Sequence, residues 1–249
     1  MNIKYDFSGR RYIVSGATSG IGCKVASDLA NAGAVVLAIG RRKERLEQLK
    51  QLYPDNIVTC IQDINDFEIL KLNIEKFAET GKINGSVHCA GINKFTPLRA
   101  FNWNDAEQII RTSLFAGIEM IRDATSKKVS ADNGSHVMLA SVAGIKGEIG
   151  FTAYSAAKSA VIGTVKSLAL ELAPKGIRIN SITPGWIPTE MSEAINARFP
   201  GNADAMKAQH PLGVGSVEDV SNLAMFLLSD EAKWITGSNL VIDGGYSIK

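Results

Sequence analysis

Net charge is nearly absent from this sequence, in which 27 Lys and Arg face 25 Asp and Glu, leaving +2 overall. Such a balance gives no global signature of nucleic-acid binding, so any basic site must be local. No apolar run approaches the ~20 residues of a membrane-spanning helix, and the first residues lack the apolar core of a signal peptide. We therefore expect a protein that binds neither nucleic acid nor membrane.

Cysteine is also scarce, and the three copies, Cys23, Cys60 and Cys89, lie in apolar stretches and cannot all pair. Buried, reduced thiols in a reducing compartment are the simplest interpretation, which predicts a cytoplasmic location. The chain has no linker, low-complexity tract or internal repeat. Its 249 residues suit one large α/β domain, and we interpret 1–249 as a single domain.

The sequence does contain a regular alternation of short apolar runs and amphipathic stretches. The predicted strands are 11–15, 34–39, 57–61, 86–89, 136–139, 178–183 and 239–242. The predicted helices are 20–32, 43–52, 66–80, 105–127, 153–172 and 217–228. This order predicts a Rossmann-like, doubly wound parallel sheet with helices on both faces, whose ligands lie beyond the carboxyl ends of the strands. Residues 190–211 have no clean period and are interpreted as an insertion that forms the substrate loop.

A glycine-rich turn of spacing G-x-x-x-G-x-G follows the first predicted strand. Glycines permit a tight turn and close backbone approach, and the following helix presents free N–H groups to a pyrophosphate. Such turns also occur for packing alone, but this position in an α/β chain favours nucleotide binding. The candidate cofactor contacts are Gly16, Thr18, Ser19, Gly20, Ile21 and Gly22.

The end of the second predicted strand indicates which dinucleotide fits. An acid there would bind the adenosine ribose hydroxyls and repel a 2′-phosphate, but the chain has Gly40 followed by Arg41, Arg42 and Lys43. Three cations at a helix N-terminus oppose the helix dipole. A bound anion would remove that conflict, so we predict NADP(H); the alternative is that the long side chains simply reach solvent.

Asp63 and Ile64, at the end of the third predicted strand, are further candidate cofactor contacts. Asp63 could accept a hydrogen bond from the adenine amino group. It could equally cap the helix that starts near Asp66, and the sequence leaves both open.

Tyr154 and Lys158 stand four residues apart in a proline-free stretch rich in Ala, Ser, Lys and Leu, which predicts a helix. Both side chains therefore leave the same helical face. An ammonium group stabilises a phenolate, so we expect Lys158 to lower the pKa of Tyr154 towards the working range of an acid–base catalyst. Ser141 could present a hydroxyl to the same substrate oxygen. Alone, the Tyr/Lys spacing also fits ordinary surface neighbours.

The ordered set of motifs resembles the short-chain dehydrogenase/reductase family over essentially the whole chain. The matching pieces are Ser15-Gly16-x-x-x-Gly20-Ile21-Gly22, Ala90-Gly91, Ser141, Tyr154-x-x-x-Lys158, Pro184-Gly185 and the tail Trp234-Ile-Thr-Gly237…Asp243-Gly-Gly245. The resemblance implies that Tyr154 is the acid–base residue, Ser141 orients the carbonyl or alcohol, and Lys158 holds the nicotinamide ribose. The cofactor contacts that it implies are Ala90, Gly91, Tyr154, Lys158, Pro184, Gly185, Ile187 and Thr189, the last two at the carboxamide.

The chain departs from the family pattern in two places. His88 and Cys89 replace the usual pair of asparagines; we expect His88 to pack or hydrogen-bond within its strand, since the other histidines form no metal-ligand cluster with it. Ser113 stands where the family commonly has an Asn that supports a water-mediated proton path to the Lys. A serine offers fewer hydrogen-bonding groups than an amide. We keep Ser113 among the catalytic candidates and expect a slower or differently routed relay.

We expect an NADPH-dependent oxidoreductase that transfers a hydride reversibly to a ketone and most resembles the 3-oxoacyl-acyl-carrier-protein reductase branch. Alternatives are a dehydrogenase of a sugar, polyol or sugar-derived intermediate, and a cofactor-binding sensor that has lost turnover. The sensor is favoured by Ser113 and His88 and opposed by the retained Ser141, Tyr154 and Lys158.

The small-molecule substrate could be carried on acyl-carrier protein. Its candidate contacts, which could equally be solvated faces, are Arg99, Arg111, Lys127 and Lys128. An apolar lid over the substrate, or mere packing of the insertion, could be formed by Met191, Ile195, Phe199 and Met206. The resemblance implies a homotetramer or homodimer with contacts around Leu114, Val165 and the C-terminal segment.

Overall fold

The computed structural model describes residues 3–199 and 201–248, and its strands form a seven-stranded parallel sheet in the order β3-β2-β1-β4-β5-β6-β7. The strands are β1 Arg11–Ser15, β2 Val35–Gly40, β3 Ile57–Ile61, β4 Ile83–His88, β5 Ser130–Leu139, β6 Arg178–Pro184 and β7 Asn239–Ile242. The helices in these ranges are α1 Gly20–Asn31, α2 Lys43–Leu52, α3 Phe67–Ala78, α4 Trp103–Ile110, α5 Ala116–Ala124, α6 Thr152–Leu172, α7 Glu190–Arg198, α8 Asn202–Gln209 and α9 Val217–Leu228. The prediction of a Rossmann-like parallel sheet is confirmed.

Neighbouring residues of the inner strands face different cores, one on each side of the sheet. Val14 of β1 packs with Leu29 of α1, whereas the preceding Ile13 packs with Leu70 of α3. All four side chains are fully buried. This burial on both faces explains why a strand such as β2 is a continuous apolar run rather than an alternating one.

The helix predicted over 105–127 differs from expectation at both ends and in its middle. It begins at Trp103, ends at Ala124, and is interrupted by a π-helical turn at Arg111–Phe115. Ser113 lies at the centre of that turn, and its side chain is fully buried. Single π-turns inside α-helices occur frequently at functional sites, and here the irregularity falls on a predicted catalytic position.

The region 190–211 contains two short helices, α7 and α8. α7 begins with a reciprocal cap, in which the Thr189 side chain accepts from the Ser192 amide while the Ser192 hydroxyl accepts from the Thr189 amide. A cap of this kind satisfies two amides that a helix start leaves unpaired. The cap therefore fixes where α7 begins in the segment that follows β6.

Leu114 and Val165, around which we expected subunit contacts, are buried in the chain's own core. The apolar residues exposed nearby are Phe115 and Leu170. Within the described ranges, no helix combines the length and the apolar character that crossing a bilayer requires.

Candidate active site

A cleft of about 1280 Å³ lies at the carboxyl ends of the strands and brings together almost all the predicted site residues. Those in its lining are Gly16, Thr18, Ser19, Gly20, Ile21, Gly22, Arg41, Arg42, Asp63, Ile64, Ala90, Gly91, Ser141, Tyr154, Lys158, Pro184, Gly185, Ile187 and Thr189. Ser113 is the predicted residue that the lining does not include. Parallel strands end at one edge of a sheet, which is why segments far apart in sequence meet here.

The turn after β1 lies close to both the end of β4 and the start of α1. Gly16 has a φ of +68°, in the left-handed region that favours glycine, and a Cβ there would stand 2.9 Å from the Ala90 amide nitrogen. A Cβ on Gly22 would overlap the Gly16 carbonyl. Ser19 makes no side-chain cap and the first turn of α1 contains no acid, so its amides remain suited to an anion such as a pyrophosphate.

The end of β2 leaves little space for the side chain of an acid that would recognise an unmodified ribose. A Cβ on Gly40 would overlap the Thr18 methyl group. The Arg42 guanidinium donates to the Thr18 hydroxyl at 3.3 Å and to its carbonyl at 3.1 Å. The same guanidinium lies 2.6 Å from Glu190. Arg41 is 71% exposed and lies 3.8 Å from Asp63, so the alternative of a solvated side chain fits Arg41 but not Arg42.

Asp63 does not cap the following helix, and that alternative was wrong. Its carboxylate accepts from the Asn65 amide at 2.9 Å. The helix begins later, at Phe67, and its cap is Asp66, which accepts from the Ile69 amide. The contact of Asp63 and Ile64 with an adenine stays a prediction.

Ser141 and Lys158 are positioned by the turn that follows β5. The Ser141 hydroxyl oxygen accepts from the Ala143 amide at 3.2 Å, which leaves its hydrogen to donate elsewhere. The Lys158 ammonium donates to the Leu139 carbonyl at 2.6 Å. The Ser159 hydroxyl donates to the Gly144 carbonyl at 2.7 Å and joins the turn to α6.

The pKa of Tyr154 is shifted in the direction opposite to our expectation. Burial raises the pKa of Tyr154 to about 12, the Ser141 side chain acts to lower it, and the Glu148 charge raises it further. Burial also lowers the pKa of Lys158 to about 8. Desolvation penalises the charged form of both groups, and the ammonium is 5.6 Å from the centre of the phenol ring. Tyr154 is therefore a neutral phenol, the form that donates a proton.

His88 connects three elements rather than bonding within its own strand, so the second half of our expectation was wrong. Its Nε2 donates to the Thr112 carbonyl at 3.0 Å, because a carbonyl can only accept. Nδ1 therefore accepts from the Ser15 hydroxyl at 2.9 Å, and that hydroxyl accepts from the Ala90 amide at 3.2 Å. Burial, assisted by the Lys158 charge, lowers the pKa of His88 to about 4, so the ring is neutral.

Ser113 lies behind the cleft, on the π-helical turn that His88 holds. Its hydroxyl is buried without a hydrogen-bond partner. The point where a Cβ on Gly91 would stand is 3.5 Å from the Ser113 hydroxyl oxygen and 3.7 Å from the Lys158 nitrogen. The serine and the lysine thus flank the same glycine, which is where a proton relay between them would run.

Aromatic rings form one wall of the cleft beside Tyr154. The Phe95 ring centre lies 5.7 Å from that of Phe151 and 4.6 Å from that of Phe199, both edge to face. Phe151 in turn lies 6.3 Å from Tyr154. The other residues predicted for an apolar lid, Met191, Ile195 and Met206, also line the cleft. This end of the cleft therefore suits an apolar part of a substrate.

A polar group near the same end has a role that the sequence did not assign. Glu148 lines the cleft, and burial raises the pKa of its carboxyl, against the charge of Lys146. The His210 ring stacks on Tyr246 at 4.7 Å and accepts from the Trp186 amide at 3.1 Å. Loops brought together from 148, 210 and 246 give no local sequence signal.

Comparisons with known proteins agree with this geometry. A family model described as enoyl-(acyl carrier protein) reductase matches residues 16–247. The 3-oxoacyl-acyl-carrier-protein reductase FabG of Rickettsia conorii is 32% identical over 96% of this chain and 98% of its own. The Escherichia coli protein of the same name is also 32% identical, with the same coverage.

Solved structures with the same fold include sugar-related enzymes. A glucose/ribitol dehydrogenase from Brucella melitensis is 27% identical, with a TM-score of 0.92 over 98% of this chain and 99% of its own. A candidate NAD(P)-dependent gluconate 5-dehydrogenase from Beutenbergia cavernae, with NADP bound at low occupancy, is 29% identical, with a TM-score of 0.92 over 99% of this chain and 100% of its own.

Proposed function

Because the chain belongs to the short-chain dehydrogenase/reductase family of oxidoreductases, we propose that it reduces a ketone with NADPH, and performs the reverse reaction on a secondary alcohol. The observation that carries this proposal is the continuity of one cleft. Arg41 and Arg42 line one part of it, the glycine turn lies beside them, and Ser141, Tyr154 and Lys158 line another part.

The residues of the cleft fit a phosphorylated dinucleotide, which would supply the hydride when bound. The turn from Gly16 to Gly22 would hold the pyrophosphate, since its glycines let the backbone approach closely and the start of α1 is uncapped by side chains. Arg41 and Arg42 would hold the 2′-phosphate, and the overlap at Gly40 supports this choice over NAD(H). Lys158 would hold the nicotinamide ribose.

Tyr154 would transfer the proton. Its raised pKa keeps the phenol protonated at neutral pH, so it can donate to the substrate oxygen as negative charge develops there. The Ser141 hydroxyl hydrogen would hold the same oxygen. Lys158 and Ser113, on either side of Gly91, would return a proton to Tyr154.

Cofactor choice is tested by binding. We expect the wild type to bind NADPH more tightly than NADH, because charge-assisted contacts with a 2′-phosphate contribute about 1.5–3 kcal/mol each. Arg41→Ala should reduce the difference between the NADPH and NADH affinities. Equal affinities of the wild type for both cofactors would contradict the assignment of Arg41 and Arg42 to the phosphate.

The preferred substrate is a 3-oxoacyl thioester, which the FabG relatives and the aromatic wall support. Of the candidate carrier contacts, Arg111 is held by the Asn65 carbonyl at 3.0 Å and lies over the Phe67 ring. It is therefore less available to an acidic carrier protein than the other three cations.

A sugar or polyol remains a second candidate because of Glu148. A partly buried carboxylate beside Tyr154 could accept hydrogen bonds from substrate hydroxyls, whereas an acyl chain offers it none. The discriminating experiment measures NADPH oxidation with acyl thioesters, simple ketones and keto-sugars. Preference for thioesters supports the first candidate, and preference for keto-sugars that Glu148→Ala abolishes supports the second.

Assembly as a homotetramer or homodimer stays a prediction, which the exposed Phe115 and Leu170 support. A cytoplasmic location also stays a prediction, supported by the three free cysteines Cys23, Cys60 and Cys89.

A further inference from the structure

Glu190, the first residue of α7, lies against two arginines that follow β2. One carboxylate oxygen is 2.6 Å from Arg42 and the other is 3.6 Å from Arg45. The remaining donors of the Arg42 guanidinium are directed at Thr18 in the glycine turn. Arg42 therefore joins the proposed cofactor site to the helix at the start of the substrate loop.

The backbone that carries Glu190 is fixed by its surroundings. The preceding residue, Thr189, caps α7 in the reciprocal arrangement with Ser192. The Thr189 methyl group lies 3.1 Å from the point where a Cβ on Gly20 would stand. The start of α7 is thus packed directly on the start of α1, and the Glu190 backbone cannot move far without uncapping the helix.

We propose that Glu190 competes with the cofactor's 2′-phosphate for Arg42 and so sets how strongly the protein prefers NADP(H) over NAD(H). This inference rests on the proposed use of NADP(H). A carboxylate and a phosphate of the same sign cannot both neutralise one guanidinium without repelling each other. Binding of the phosphate must therefore weaken or break the Glu190–Arg42 pair.

The competition reaches the substrate end of the cleft through α7. Met191 and Ile195 lie on that helix and line the cleft. Release of Glu190 would remove the ion pairs that hold the first turn of α7 to α2 and to the glycine turn. A phosphate at one end of the cleft would then change the restraint on the substrate loop at the other.

Glu190 could also act in the opposite sense, by accepting hydrogen bonds from an unphosphorylated ribose. It would then substitute for the acid that Gly40 excludes. The two roles predict opposite effects of removing the charge, so binding measurements separate them.

The experiment measures the affinities of 2′,5′-ADP and 5′-AMP by calorimetry, since the two probes differ only in the 2′-phosphate and require no turnover. Glu190→Gln keeps the shape and removes the charge. Because an exposed ion pair contributes only a small free energy, we expect 2′,5′-ADP to bind about twofold to fivefold more tightly to this variant than to the wild type. The affinity for 5′-AMP should not change. Glu193→Gln removes an exposed charge from the same helix and should change neither affinity.

Unchanged 2′,5′-ADP affinity in Glu190→Gln, or weaker 5′-AMP binding, would overturn the competition. Failure of the cofactor proposal looks different. If the wild type binds both probes equally and Glu190→Gln prefers 2′,5′-ADP, the wild type is not NADP-specific, yet the competition stands. Equal binding of both probes by both proteins contradicts both proposals.

Discussion

Replacement of His88 tests whether a buried neutral histidine holds the π-helical turn that carries Ser113. His88→Asn preserves an acceptor for the Ser15 hydroxyl but is too short to donate to the Thr112 carbonyl. Leaving a buried carbonyl unpaired costs about 1–3 kcal/mol. We therefore expect the variant to be less stable than the wild type at pH 7 by roughly that free energy of unfolding.

The same substitution has a pH dependence whose sign follows from the pKa. Burial lowers the pKa of His88 from 6.5 to about 4, so below pH 6.5 the unfolded chain binds a proton that the folded protein does not. The contribution of neutral His88 is present above that pH and is lost as the pH falls towards the folded pKa. The loss is about 2 kcal/mol between pH 7 and pH 5, from ~1.4 kcal/mol per unit.

The assay is urea unfolding of the wild type and His88→Asn at pH 7 and pH 5, with turnover measured in parallel. The stability difference between them should shrink by about 2 kcal/mol at the lower pH, and the variant should have a lower kcat through a displaced Ser113. His136, whose pKa burial also lowers to about 4, is the control: His136→Asn should show the same pH effect without the fall in kcat. A stability difference that does not change with pH would refute the reasoning.

Other substitutions test the site locally. Ser113→Ala removes a buried hydroxyl without a hydrogen-bond partner, so thermal unfolding should show a stability that is unchanged or slightly raised. If the hydroxyl relays protons, kcat should fall while KM stays the same. An unchanged kcat would exclude the relay. Gly40→Asp should weaken both NADPH and NADH binding, because its Cβ meets the Thr18 methyl group. Adding Thr18→Ser removes that methyl and keeps the hydroxyl for Arg42, so fluorescence titration should show NADH affinity recovering; no recovery would refute the steric explanation.

The start of the sheet was predictable because β1 and β2 are buried on both faces and consist largely of unbroken apolar runs. Strands β1, β3 and β7 and helices α2 and α9 begin and end at the predicted residues. The carboxyl ends of the strands also indicated the site, because in a parallel sheet these ends lie along one edge. Residues as distant as Gly16 and Asp63 could therefore be assigned to one cleft from the sequence, whereas Thr189 was assigned through the family resemblance.

The features that were missed depend on contacts that sequence spacing does not encode. The periodicity of a helical sequence does not reveal a π-helical turn, because the one extra residue in the turn changes which side of the helix is buried only near that turn. The pKa of Tyr154 depends on how deeply the phenol is buried and on where the Lys158 ammonium points, which is to the Leu139 carbonyl. The pairing of Arg42 with Glu190 joins residues 148 positions apart, and neither residue's local context indicates the other.

The measurement that tests the central claim most directly is single-turnover ketone reduction by Tyr154→Phe, with NADPH binding followed in the same samples. The substitution removes only the phenolic hydroxyl. Since a positioned acid contributes about 10²–10⁴-fold to the rate, we expect the rate of reduction to fall at least about a hundredfold. The NADPH affinity should stay within about twofold of the wild-type value, because cofactor binding depends mainly on the distant glycine turn and arginines. Reduction at close to the wild-type rate would contradict the assignment of Tyr154 as the proton donor.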